Sequence, residues 1–146
     1  MIYLGSCALV KLLLPETETP ALRAFLSARA AEGHATSALA QTEIARTLIR
    51  AAADPEVGDA ADELLDRVLR IRITDPILRT AGTLPLRHLR SLDAIQLASA
   101  EYLEHALTAF VTYDRRLARA GHVRGMPVKA PGSDIEFWLE KNDQPV

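Results

Sequence analysis

The stretch Met1-Ile2-Tyr3-Leu4-Gly5-Ser6-Cys7-Ala8-Leu9-Val10-Lys11-Leu12-Leu13-Leu14-Pro15 decides the fold. Its first four residues are apolar and bounded by Gly5, which reads as a buried strand. Residues 7–14 read as a short helix that ends near Pro15, since proline cannot continue a helix. A strand followed at once by a helix is the unit of a parallel sheet, and the rest of the chain repeats it. Thr19-Pro20, a hydroxyl cap followed by proline, predicts a helix to about Ala31, stopped by Gly33. His34-Ala35-Thr36 predicts a strand, Ser37 caps a helix from Ala38 to about Ala52, and Asp54-Pro55 opens another through Leu69. Ile71-Arg72-Ile73 alternates with period two, as a strand does. Asp75-Pro76 opens a short helix closed near Gly82, and Ser91 caps one from Leu92 to Glu104. Ala109-Phe110-Val111-Thr112 is the next strand, Arg115 to Ala120 a helix closed by Gly121, and Met126-Pro127-Val128 an edge strand.

With no hairpin turn between strands, this alternation predicts a parallel sheet covered by helices on both faces. It spans 1–130 as one domain, and 131–146, with Trp138, is expected to pack on it as a tail. A chain of 146 residues has no room for a second core. Its 49% hydrophobic and 25% charged residues exclude a disordered or fibrous protein. No apolar run is long enough to span a bilayer and no secretion signal is evident, so no membrane association is expected. The single cysteine, Cys7, cannot form an intramolecular disulfide and fits a reducing cytoplasm; it is expected to be a small buried filler.

In a parallel α/β sheet the site lies beyond the carboxyl ends of the strands, and three acids are expected there. Glu43 falls in the first turns of the helix after strand 34–36, at the edge of an apolar stripe of Ala40, Ile44 and Leu48. Asp93 falls in the first turn of the helix whose inner face is expected to be Leu92, Ile95, Ser99 and Tyr102. Asp114 follows strand 109–112. Helix first turns favour acids in any case, but three carboxylates on one rim repel one another unless a cation lies between them. Oxygen donors suit Mg²⁺ or Mn²⁺. His34, His88, His105 and His122 share no ligand spacing with each other or with Cys7, which argues against zinc.

Four strings carry a resemblance: Met1 to Leu12, Ser37-Ala-Leu-Ala-Gln-Thr-Glu43, Ser91-Leu-Asp93-Ala-Ile-Gln-Leu-Ala-Ser and Phe110-Val-Thr-Tyr-Asp114-Arg-Arg-Leu. In order and spacing over residues 1–130 the chain resembles the PIN-domain ribonucleases, in particular the VapC toxins of bacterial toxin–antitoxin pairs. The resemblance implies a three-layer α/β/α sandwich with a mainly parallel sheet and a Mg²⁺- or Mn²⁺-dependent endoribonuclease acting on structured RNA such as tRNA or rRNA. It also implies a homodimer and a VapB-type antitoxin. Glu43, Asp93 and Asp114 match the family's acidic positions, Ser6 its small hydroxyl residue after the first strand, and Thr112 a hydroxyl two residues before the last acid.

One position departs. Where the family carries a first, central aspartate, this chain has Gly5. Losing one carboxylate removes a negative charge and cation ligands, and Mg²⁺ tolerates incomplete coordination poorly. Activity is therefore expected to be lowered by several orders of magnitude. Glycine suits a tight strand-to-helix turn, but an aspartate there would complete the pattern. Gly5 is accordingly expected to be a detoxifying substitution, the alternative being a natural inactive relative.

Of the 17 basic residues, 14 are arginine, a balance that suits phosphate binding but also follows from a GC-rich genome. Between Arg67 and Leu92 six arginines face one acid, Asp75, and Arg115 and Arg116 are the residues expected to contact RNA. Leu22, Phe25, Leu26, Leu64, Leu65 and Val68 are either antitoxin contacts or core. Two further readings compete: an antitoxin-binding decoy without chemistry, and a receiver-type phospho-acceptor domain, for which Thr112 and Lys129 would serve. The latter needs an acidic pair after the first strand, and Gly5-Ser6 offers none.

Overall fold

The computed structural model describes residues 1–135 and 139. The strands are β1 (Ile2–Leu4), β2 (His34–Ser37), β3 (Leu69–Ile71), β4 (Ala109–Val111) and β5 (Val128–Lys129). All pairings are parallel, in the order β3-β2-β1-β4-β5. The helices are α1 (Ser6–Leu13), α2 (Thr19–Ser27), α3 (Leu39–Arg50), α4 (Pro55–Asp66), α5 (Asp75–Thr83), α6 (Ser91–Glu101) and α7 (Arg115–Val123).

Side chains alternate across a strand, and that alternation builds two cores. Ile2 and Leu4 of β1 and Ala109 and Val111 of β4 face one way, into Leu9 of α1, Leu22 of α2, Ile44 and Leu48 of α3 and Leu65 of α4. Tyr3 and Phe110 face the other way, against Ile77, Leu97 and Leu117 of α5, α6 and α7; their rings tilt at 5.3 Å between centroids. The result is the three-layer sandwich expected. Leu22, Leu65 and Val68 are buried, with Phe25, Leu26 and Leu64 packed on them, so these six residues serve the core.

The structure corrects several local readings. The third strand is Leu69–Ile71, not 71–73, because α4 ends at Asp66 and the edge strand takes its register from β2, pairing Ala35 with Leu69 and Ser37 with Ile71. Helix α7 runs through Gly121 to Val123. A Cβ at Gly121 would lie 2.9 Å from the Phe110 ring, so that glycine permits close helix–sheet approach rather than a stop. The last strand is Val128–Lys129. The hydroxyls expected as caps are otherwise employed. Thr19 donates to the Lys11 carbonyl (2.9 Å) and accepts from the Glu16 amide before the helix (2.8 Å), Ser91 is already helical, and Ser37 accepts from the Leu39 amide (3.3 Å).

Helix α6 is rotated from its expected setting. Leu92 and Tyr102 are 52% and 67% exposed, while Gln96, Leu97, Ser99 and Ala100 are buried. Alanines at 94, 98 and 100 give the helix little apolar asymmetry, so packing against α5 and the sheet sets its rotation. Of the tail, Tyr113 donates to the Pro131 carbonyl (2.8 Å) and Gly132 lies against α2; Trp138 lies outside the described residues.

Candidate active site

The strand order reverses between β1 and β4, and in open parallel sheets ligands bind outside the strand ends at that point. A cleft of about 860 Å³ opens there, lined by Ser6, Glu43, Asp93 and Asp114 among others. All three expected acids thus face one cavity, each placed by a different element: Glu43 by α3, Asp93 by the first turn of α6, Asp114 by the β4–α7 junction.

Their settings differ. Glu43 Oε2 accepts from the Ser6 hydroxyl and from Gln96 Nε2 at 3.3 Å. Asp114 is the N-cap of α7, its Oδ1 accepting from the Arg116 and Leu117 amides at 2.8 and 2.9 Å. Thr112 is buried, and its hydroxyl accepts from the Asp114 amide at 3.2 Å. Asp93 is half-buried. Its carboxyl is pushed up, first by burial and then by the Asp114 carboxylate; Arg116 and Arg90 pull it down and Glu43 pushes it up again. Asp93 thus feels both other carboxylates, with burial the larger cause.

Among the described residues, no three His, Cys, Asp or Glu side chains stand close enough to hold a metal ion between them. The donor chemistry suits a hard cation. Gly5 follows the last residue of the central strand. A Cβ built on it would lie 3.6 Å from the Thr112 hydroxyl, beside Asp114, and the next residue, Ser6, holds Glu43. Nothing in the turn demands glycine: φ −63° and ψ 156° suit any residue, and the Cβ would make ordinary contacts, none nearer than 3.4 Å.

The expectation for Cys7 is corrected here. Cys7 is half-buried rather than a buried filler; it lines the cleft, and its sulfur accepts from the Tyr113 amide (3.2 Å). Arg46, Arg50 and Arg90 line the cleft, and Arg116 stands near enough to Asp93 to favour its charged form. Glu43, Arg46, Thr47 and Arg50 share one face of α3 at helical spacing, with Arg50 bonded to the Thr47 hydroxyl (2.9 Å). That spacing was visible in the sequence, as was Gln96, an amide inside an apolar run three residues after Asp93.

The fold and this acidic cleft define a class, α/β/α domains that carry carboxylates over the switch point of a parallel sheet. The PIN domain model matches residues 2–123, and the chain belongs to that family. Its relatives there are VapC ribonucleases. It is 41% identical over 135 residues to Ribonuclease VapC47 of Mycobacterium tuberculosis (strain CDC 1551 / Oshkosh), covering 91% of this chain and 98% of that protein. Ribonuclease VapC35 of the same strain is 42% identical over 134 residues, 90% of this chain and 98% of that protein. Ribonuclease VapC46 of strain ATCC 25618 / H37Rv is 39% identical over 134 residues, 89% and 97%. The receiver reading falls with this membership and with the strand order, since receiver domains are ordered 2-1-3-4-5. Among the described residues no helix is long and apolar enough to cross a membrane.

Proposed function

We propose that this chain is a VapC-type endoribonuclease toxin whose cation site lacks one carboxylate, leaving RNA hydrolysis strongly impaired. The observation that supports this reading is the cleft itself: Glu43, Asp93 and Asp114 face it, and the buried Gly5 directly precedes Ser6 of its lining, with room for a Cβ. Asp93, Asp114 and Glu43 face one cleft without meeting at one point, and would hold Mg²⁺ or Mn²⁺ by closing on it; the cation would supply the attacking hydroxide and stabilise the leaving oxygen of a phosphodiester. Ser6 and Thr112 act by orienting Glu43 and the β4–α7 turn. Arg46, Arg50 and Arg90 would hold the phosphates of a tRNA or rRNA substrate in the cytoplasm, balancing the acids. A VapB-type antitoxin and a homodimer complete the proposal.

Reversion tests it. Gly5→Asp is expected to raise Mg²⁺- or Mn²⁺-dependent RNA cleavage about a hundredfold or more over the unaltered chain. No gain would sink the impaired-toxin reading. The incomplete ligand set also favours a second reading, an antitoxin-binding decoy without chemistry. Residual Mn²⁺-dependent cleavage by the unaltered chain, abolished by Glu43→Gln, separates the impaired enzyme from the decoy.

A further inference from the structure

We infer that Gln96 is a positioning residue for Glu43, locked in one amide orientation by Tyr3. The inference rests on the proposed cation site and concerns residues that do not themselves reach a cation.

The orientation follows from the direction of each hydrogen bond. The Ser37 amide lies 3.2 Å from the Tyr3 hydroxyl oxygen, and an N–H can only donate, so that oxygen accepts. The one phenolic proton is then directed to its other neighbour, Gln96 Oε1. With its carbonyl occupied by Tyr3, the Gln96 amide turns its NH₂ to Glu43 Oε2 at 3.3 Å. Flipping the amide would set its carbonyl oxygen against the Glu43 carboxylate and its NH₂ against the Tyr3 O–H, breaking both bonds at once. Tyr3 is fully buried and Gln96 is 2% exposed, so neither side chain can turn to water for a substitute partner.

The consequence lies at Glu43. Ser6 and Gln96 converge on the same oxygen, Oε2, which holds the carboxylate in one rotation and leaves Oε1 as the oxygen for a cation. The relay also joins the two layers. Tyr3 and Gln96 belong to the core beneath α5, α6 and α7, whereas Glu43 stands on α3 in the opposite layer. Helix α6 therefore supplies Asp93 directly and orients Glu43 through Gln96, one turn later.

The test uses the Gly5→Asp chain and Mn²⁺ alone, read by titration calorimetry, with thermal melting to confirm folding. Tyr3→Phe touches neither Glu43 nor the cleft, yet it is expected to weaken Mn²⁺ binding about tenfold or more, the usual cost of removing a residue that orients a ligand. Gln96→Leu is expected to do the same. In the metal-free protein, the Gln96 side-chain amide protons are expected to shift in the ¹⁵N–¹H spectrum on Tyr3→Phe, and this holds should Gln96→Leu fail to fold. Mn²⁺ affinity within about twofold of the parent in Tyr3→Phe, while Glu43→Gln abolishes binding, would overturn the inference alone. Glu43→Gln without effect on Mn²⁺ would overturn the proposed cation site, and the inference with it.

Discussion

At position 5 the backbone is extended (φ −63°) and a Cβ would meet only Val111 and Thr112 at ordinary distances. Gly5→Ala therefore keeps the fold, and because alanine brings no oxygen it is expected to leave cleavage at the level of the unaltered chain while Gly5→Asp raises it. A gain with alanine would show that bulk, not a carboxylate, is what the position lacks. His34 illustrates the opposite pressure. Its Nε2 is buried without a partner, and burial, opposed by Glu32 and reinforced by the N-terminal amine, holds its pKa below the usual histidine value. The unfolded chain then binds the proton more readily than the folded one. Stability is fully present above about pH 6.5 and falls as pH drops through that value towards the lowered folded pKa. Urea midpoints between pH 7.5 and 5 should show this decline, flattened in His34→Gln; an equal slope in both would exclude His34 as its source.

Among the elements, α7 shows a carboxylate with two duties. Asp114 caps the helix through Oδ1 and faces the cleft. Asp114→Ala is expected to cost about 1 kcal/mol through the lost cap as well as any cation ligation. Asp114→Ser restores a capping oxygen without the carboxylate. In the Gly5→Asp chain it should therefore melt close to the parent yet cleave no better than alanine. A serine variant as unstable as alanine would mean the cap contributes little. Helix α6 makes the complementary point: its alanines let it sink deep enough for Gln96 to meet both Tyr3 and Glu43.

The whole molecule has a formal net charge of −2, so attraction for RNA depends on where arginines stand rather than on their number. Three stand in the cleft, Arg46, Arg50 and Arg90. Single-stranded RNA binding measured by fluorescence anisotropy without divalent ions should weaken with salt, and each of Arg46→Gln, Arg50→Gln and Arg90→Gln should reduce the log–log slope by about 0.7. Arg87→Gln, exposed and outside the cleft lining, should leave it unchanged. Should Arg115→Gln and Arg116→Gln carry the decrement instead, RNA lies along the start of α7, as the sequence alone suggested.

The order of strands and helices, the parallel sheet and Asp114 just past β4 were legible in the sequence. Apolar alternation, glycine and proline act within a few residues, and a carboxylate just past a strand has one rim on which to fall. Tertiary packing alone decided the rotation of α6, the register of β3 and the Tyr3–Gln96–Glu43 relay. Each depends on which side chains meet across the sheet, Tyr3 and Gln96 being 93 positions apart, and no local pattern encodes such a meeting.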